Sequence, residues 1–289
     1  MPASNEAAVP SRPPATEADA PAVPARRRGL GERLGESKYP LISLLAIGAM
    51  LLLWAFVTMV LGVSARVLPS PPEFFAQLHK LLENGYAGQP LRVHIGWSLL
   101  RAMTGFTLGV ALAIPVGLLM GYSRAINAAL QPIFGFFRPI PPIAFIPLMI
   151  MWFGIGELSK ILLIFAASFN YTVLNSAAGM RSVPVQLVRA GVNLGLTRRQ
   201  LFTDVMLPAA MPSILTGVKT SAAVSWAILV AAELIAAQAG VGFIIMDAGT
   251  FFRISDVFIG IIIVGAIGLV IELLISRIER RLLHWQGKG

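Results

Sequence analysis

Six long apolar blocks lie between residues 41 and 275, and their length restricts what the chain can form. A helix needs about 20 residues to cross about 30 Å of hydrocarbon, and only helices or closed barrels satisfy their backbone polar groups in lipid. We therefore predict an all-α integral membrane protein with six transmembrane helices. The predicted spans cover residues 41–63, 95–121, 128–153, 158–180, 214–237 and 257–275.

The composition excludes the soluble classes of protein. Hydrophobic residues make up 56% of the 289 residues, charged residues make up 13%, and the mean hydropathy is +0.76. A soluble domain has about 25% charged residues, and so apolar a chain would expose large patches in water. The chain has no cysteine and three scattered histidines, so we expect no disulfide and no metal site. No loop carboxylate has a paired carboxylate or base, so we do not expect an enzyme.

The region before the first span differs from the rest of the chain. Residues 1–38 are rich in Pro and Ala and contain no aromatic residue, which predicts a disordered cytoplasmic tail before a membrane domain at 39–289. Lys and Arg accumulate in cytoplasmic loops. With the N-terminus inside, the inside segments hold 15 of them and the outside segments hold 5. We therefore predict that both termini are cytoplasmic, with the basic loops beside anionic lipid rather than nucleic acid.

The third block is rich in proline and includes Pro141 and Pro142. Proline removes a backbone donor, so in hydrocarbon this segment must be covered by protein or line water. A broken helix beside a water-filled route and a kinked structural helix both fit. In the first outer loop, residues 70–85 predict a short interfacial helix that begins at the Pro71-Pro72 pair and ends at Gly85.

The longest inside loop between spans, residues 181–213, predicts two short helices. Four small or apolar residues share one narrow face: Leu187, Ala190, Gly191 and Leu194. Gly195 stands where a left-handed residue would end the first helix. Thr197 and Gln200 form a capping box that starts a second helix, which we expect to end before Pro208. The ridge suits a groove on another protein, and the spacing alone fits a membrane-lying loop without a partner equally well.

The same loop resembles a signature of binding-protein-dependent ABC importer permeases: E-A-A, three residues, G, nine residues, I-x-L-P. The corresponding positions are Arg189-Ala190-Gly191, Gly195 and Val205-Met206-Leu207-Pro208. The spacing is complete, whereas Arg replaces the usual Glu and Gly replaces the second Ala. Residues 138–164 and 224–249 are also similar to the taurine, sulfonate and nitrate subfamily of these permeases.

This resemblance implies the type I importer permease (MetI-like) architecture in a bacterial inner membrane. The implied partners are a second permease copy, two cytoplasmic ATPase subunits, a periplasmic substrate-binding protein and membrane lipid. The chain has no G-x-x-x-x-G-K-S/T motif, so we expect ATP and Mg on the partner ATPase and no cofactor here. The resemblance assigns ATPase coupling to Leu187, Arg189, Ala190, Gly191, Leu194, Gly195, Leu207 and Pro208.

Polar and ionisable residues within spans are candidates for function, although polar side chains also hold helices together in lipid. A sulfonate stays negative at physiological pH, so neutral donors should line its route. The predicted pathway residues are Pro141, Pro142, Asn170, Ser221, Ser225 and Glu233. We expect Glu233 to be held in an ion pair beside the route, Lys219 to reach the inner surface, and Glu272 to pair with Arg277 or face solvent.

The leading interpretation is the permease subunit of an ATP-driven importer for taurine or related alkanesulfonates. The same machine with nitrate, bicarbonate or a vitamin precursor as its cargo is the near alternative, since a separate binding protein usually selects the cargo. An ion-coupled secondary transporter is the remote alternative. The coupling-type loop, the six spans and the lack of a visible inverted repeat in the sequence oppose it.

Overall fold

Residues 38–284, the part of the chain that this computed structural model describes, are mostly helical and contain no β-strand. The predicted tail lies outside the described residues except for Lys38. The helices are α1 Lys38–Ala55, α2 Pro71–Asn84, α3 Leu91–Tyr122, α4 Arg124–Phe137, α5 Ile146–Phe153, α6 Glu157–Arg181, α7 Val185–Asn193, α8 Arg198–Ala236, α9 Val241–Thr250 and α10 Ile254–Leu282. This confirms the all-α prediction.

Five described helices are long and apolar enough to cross a membrane: Ile42–Val60, which includes a π-helical turn after α1, and α3, α6, α8 and α10. The predicted third span is α4 followed by a 3₁₀ turn at Pro142–Phe145 and α5, with a bend of 84° between its halves. The break lies at the predicted prolines.

Helices α3 and α6 pack along a seam of glycines. Added Cβ atoms would lie 2.7 Å from the Ile161 carbonyl oxygen at Gly105 and 2.5 Å from that of Val173 at Gly117. Glycine at these positions allows the two backbones to approach closely. The residue numbers of the contacting pairs rise together along the seam, from Gly105 with Ile161 to Gly117 with Val173, so α3 and α6 run in the same direction. The segment between them must therefore return across the membrane. The bent pair is that crossing, the third along the chain, and it brings the number of spans to six.

Helix α8 packs antiparallel to α6, because Gly217 lies against Asn175 whereas Ile228 packs with Leu163. Helix α10 is antiparallel to α8 in turn, since the Trp226 indole donates to the Val264 carbonyl oxygen at 3.1 Å, whereas the earlier Lys219 lies beside the later Glu272. We call the end of the bundle that holds α7 the inner end. The opposite end, which holds the start of α10, is called the outer end.

Two short helices cover the outer end. Helix α2 begins and ends as predicted, but its Phe74 and Leu81 pack in one buried cluster with Ile244 of α9, so protein rather than lipid covers this face. Helix α9 was not predicted, because ten residues are too few to give a clear periodic signal. Burial, followed by the hydrogen bond to Asp247, raises the pKa of Tyr86, which stays protonated and donates to that carboxylate.

The orientation of the bundle is a testable prediction. A single Cys introduced at Glu83, which is exposed on α2, should react with a membrane-impermeant maleimide added from outside intact cells. A Cys at Arg198, exposed at the start of α8, should react only after the inside is made accessible. The cysteine-free chain supplies the background. Labelling of the Glu83 position from the inside alone would reverse the predicted topology.

Candidate functional site

The loop at the inner end forms the predicted pair of helices. Helix α7 ends at Asn193, and Gly195 follows with a φ of +78°, the left-handed conformation that the sequence predicts. Thr197 and Gln200 form the capping box: the Gln200 amide donates to Thr197 Oγ1 at 3.3 Å, and the Thr197 amide donates to Gln200 Oε1 at 3.0 Å. Backbone geometry therefore accounts for both the turn and the start of α8.

The predicted narrow face of α7 divides into two parts. Leu187, Ala190 and Leu194 are exposed, and Leu194 has an exposed fraction of 81%. Gly191 instead points inward, where an added Cβ would lie 2.7 Å from a Leu201 methyl group. Gly191 thus lets α7 pack against α8, while Leu187, Ala190 and the C-cap residue Leu194 share one face and form an exposed apolar ridge. Arg189 is also exposed.

The prediction that the second helix ends before Pro208 is wrong, because α8 continues through that proline. A π-helical segment, Leu201–Met206, precedes it, and the Leu207 amide bonds to the Phe202 carbonyl oxygen five residues earlier. The wider turn makes room for a proline ring, which would clash with a carbonyl in a regular helix. Leu207 and Pro208 are half-buried at this junction, and the second helix of the loop continues into a membrane-spanning helix.

At the outer end, Glu233 lies in a buried ion pair, as the sequence predicts. Its carboxylate accepts from Arg101 Nη1 at 2.7 Å and from the Ser98 hydroxyl at 2.8 Å. The Arg101 and Glu233 side chains have exposed fractions of 3% and 0%. Arg101 also bonds to Glu157 through two nitrogens and to the Ala239 carbonyl oxygen. This outer ion cluster of Ser98, Arg101, Glu157 and Glu233 joins α3, α6 and α8.

Helix α9 is tied to the same cluster by its first backbone amides. The Gly242 amide donates to Glu233 at 3.0 Å, and the Val241 amide donates to the Ser98 hydroxyl at 2.9 Å. A carboxylate at a helix N-terminus is favourable because unpaired amides and the helix dipole both attract it. Gly240 leaves space for Glu233, since a Cβ there would lie 2.5 Å from the carboxylate. The cluster therefore holds four helices together at the outer end.

The partners of Glu233, Arg101 and Glu157, are not predicted from the sequence. The apolar pattern predicts that Glu157 lies in an outer loop, whereas it is the first residue of α6. The rule that a charge within a span needs an opposite charge nearby could have identified the Arg101–Glu233 pair. The close approach of α3 and α6 was missed too, although Gly105-xxx-Gly109 and Gly117-xxx-Gly121 are recognisable small-residue motifs.

The other predicted pathway residues are not brought together at one site. Ser221 is buried between α6 and α8, where its hydroxyl accepts from Thr172 at 3.1 Å, and Ser225 is buried one turn further along. Asn170 faces an apolar cavity of about 360 Å³ between the bent span and α6, which Pro142 also lines, and Pro141 is exposed. Their assignment to the pathway stays a prediction.

Glu272, which the sequence predicts to pair with Arg277 or to face solvent, is exposed, with an exposed fraction of its side chain of 62%. Glu272 lies 3.8 Å from Lys219 on the neighbouring helix α8, rather than pairing with Arg277. The antiparallel packing of α8 on α10 brings the two charges to the same depth, which neither helix shows by itself. Both residues line a cleft between these helices.

Comparison with known proteins gives the family. The model of the binding-protein-dependent transport system inner membrane component matches residues 109–284. The taurine transport system permease TauC of Escherichia coli K12 is 38% identical over 87% of this chain and 92% of its own. The putative aliphatic sulfonates permease SsuC of Bacillus subtilis is 35% identical over 88% and 91%. The nitrate import permease NrtB of Synechocystis is 33% identical over 81% and 86%.

A solved structure shows the same fold. A chain of the MetNI methionine ABC transporter, in inward-facing conformation, superimposes with a TM-score of 0.58 and 19% identity over 66% of this chain and 95% of that one. The fold is therefore the type I importer permease (MetI-like) architecture predicted from the sequence. The protein is a multi-pass component of the inner membrane that belongs to the family of binding-protein-dependent transport system inner membrane components, as a permease subunit of an ABC importer.

Proposed function

We propose that this chain forms the membrane route of an ATP-driven importer for taurine or related alkanesulfonates. The observation that carries the proposal is the 38% identity to a taurine permease over 92% of that protein's length, together with the similar aliphatic sulfonate permease. A periplasmic binding protein delivers the cargo, and a partner ATPase supplies and hydrolyses ATP with Mg. The chain acts as one of two permease copies beside two ATPase subunits.

The inner helix pair is the docking surface for the ATPase in this proposal. Its exposed ridge presents Leu187, Ala190 and Leu194, and a groove on a partner would cover this apolar surface. The ridge helix α7 packs through Gly191 on the start of α8, and the π-helical segment before Pro208 makes that start continuous with the membrane-spanning part of α8. Movement of the docked ATPase would therefore act directly on a helix whose outer end is held by Glu233. Both termini lie in the cytoplasm on this assignment.

Reconstitution tests the energy source and the cargo together. The chain, its cognate ATPase and the binding protein should import labelled taurine into proteoliposomes only when ATP is present on the ATPase side. Because hydrolysis drives the cycle, collapse of the proton gradient at constant ATP should leave the rate unchanged. Ethanesulfonate and nitrate are measured side by side with taurine.

Two results would replace this function. Uptake by the chain alone under an imposed ion gradient would make it a secondary transporter. Import of nitrate in place of taurine would keep the machine and change the cargo, an outcome that the 33% identity to a nitrate permease makes the second candidate. A Walker-motif variant of the ATPase, which binds but does not hydrolyse ATP, is the matched control for leakage.

A further inference from the structure

A cleft of about 480 Å³ lies between α8 and α10, towards their inner ends, and two opposite charges line it. Lys219 Nζ is 3.8 Å from Glu272 Oε1, and the two side chains have exposed fractions of 39% and 62%. Thr220 and Trp226 complete the wall on the side of α8, and Gly268 lies opposite on α10. Both charged groups therefore face the open space of the cleft.

The depth of Lys219 and Glu272 in the membrane makes contact between their charges and lipid tails energetically costly. Lys219 lies 14 residues from Glu233 along α8, or about 21 Å at 1.5 Å per residue, which is still within a membrane core of about 30 Å. Charged side chains at such depth normally face protein or water. The cleft is therefore expected to hold water or a polar ligand.

The exposed face of α8 beside the cleft supports the same conclusion. Its exposed residues are small or carry a hydroxyl group: Thr216, Thr220, Ala223 and Ala227. At the same level, the exposed residues of α10 include large apolar ones: Leu269, Val270, Leu273 and Leu274. Large apolar side chains are suited to lipid contact, whereas small ones leave space for a close neighbour or a solute.

The polar groups of the cleft can bind both ends of a small zwitterion. The 3.8 Å between Lys219 Nζ and Glu272 Oε1 exceeds the 2.7–2.9 Å typical of a charge-assisted hydrogen bond. The Lys219 ammonium can therefore donate to another partner, and the Glu272 carboxylate can accept from one. The Thr220 hydroxyl donates to the Thr216 carbonyl oxygen at 2.9 Å, which leaves its lone pairs as acceptors. The Trp226 indole N–H is occupied by the Val264 carbonyl oxygen.

We infer that this cleft is a binding site for a small zwitterion, with the acid group on Lys219 and the ammonium group on Glu272 and Thr220. This inference rests on the proposed function in naming taurine, an aminoethyl sulfonate, as the cargo that fits. The headgroup of phosphatidylethanolamine carries the same chemistry, a phosphate two carbons from an ammonium. The site would select amine-bearing anions after delivery, independently of the binding protein.

Uptake by the complete transporter tests the site, with taurine compared with ethanesulfonate, which lacks the amine. Glu272→Gln should lower taurine uptake about ten-fold and change ethanesulfonate uptake less than two-fold, because one charge-assisted contact is lost only for taurine. Lys219→Met should lower both uptake rates, since both cargos carry the sulfonate. Glu279→Gln, the same change on α10 outside the cleft, should alter neither rate.

A second measurement distinguishes the two candidate ligands, taurine and the headgroup of phosphatidylethanolamine. Native mass spectrometry reports phosphatidylethanolamine bound to the purified complex, and vesicles with and without this lipid report its effect on transport. Loss of bound lipid in Glu272→Gln, with an unchanged ratio of taurine to ethanesulfonate uptake, would assign the cleft to the headgroup.

If Glu272→Gln changes neither the ratio of taurine to ethanesulfonate uptake nor the amount of bound lipid, the cleft is not a binding site for a zwitterion. Co-purification with the ATPase and a single peak in size-exclusion chromatography exclude a folding defect in each variant. If the wild-type complex imports no taurine at all, the proposed function fails. The lipid measurement then still tests the cleft.

Discussion

Arg101→Met should destabilise the protein strongly and abolish most of its transport. The substitution leaves the Glu233 carboxylate, which has no exposed surface, with only the Ser98 hydroxyl and a backbone amide as partners. Removing one member of a buried ion pair costs about 3–5 kcal/mol, since the remaining charge stays out of water. Thermal unfolding of the purified protein in detergent measures the loss, and taurine uptake measures its consequence.

A double variant separates the charge from the shape of the side chain. Arg101→Met with Glu233→Gln removes both charges of the pair, so much of the stability should return. Glu233→Gln alone keeps Arg101 paired with Glu157 and should lower uptake of all cargos by a similar factor, because Glu233 holds α8 rather than contacting cargo. Arg92→Met, at an exposed position on the same helix, is the matched control. A double variant as unstable as Arg101→Met would contradict the assigned role of the pair.

Gly195→Val should disconnect the permease from its ATPase while leaving the membrane domain folded. Gly195 has a φ of +78°, and no atom lies within 4 Å of the position that a Cβ would occupy. The effect is therefore one of backbone conformation rather than of space. Left-handed conformation costs an ordinary residue about 1–2 kcal/mol, and a β-branched residue is worse suited. We expect altered geometry of α7, poor co-purification of the ATPase and a fall in uptake of about ten-fold.

Gly195→Asn is the informative control for this prediction, since asparagine tolerates the left-handed conformation. It should retain most of the ATPase binding and transport, although it adds more bulk than alanine. Normal co-purification and transport by Gly195→Val would show that the inner helix pair is not the docking surface. Equal losses in Gly195→Val and Gly195→Asn would instead place a close contact with the partner at this position.

Much of the inner helix pair could be predicted from the sequence because its determinants are local. The left-handed Gly195 and the capping box of Thr197 and Gln200 involve residues at most three positions apart. The end of the second helix could not be predicted in this way. Proline at 208 normally favours a break, and only the π-helical turn before it allows α8 to continue.

The outer ion cluster shows the opposite case. The sequence identifies Glu233 as a charge in need of a partner, but Arg101 is 132 residues away and the apolar pattern places Glu157 in a loop. Which charges meet depends on the directions and rotations of α3, α6 and α8, and these follow from how their glycines pack. The same reason explains why the sequence does not predict that Glu272 lies beside Lys219.

The sequence by itself determined the membrane class, the six apolar blocks and the family, since hydrocarbon thickness sets the length of apolar blocks and the coupling motif lies within one loop. Tertiary structure alone decided that the bent pair crosses once, because this depends on α3 and α6 running parallel. It also decided that Lys219 and Glu272 share a cleft, because side chains on different helices meet only through packing. Turns and helix caps formed by residues close in sequence can be predicted from the chain, whereas side-chain pairs between helices depend on how the helices are placed in three dimensions.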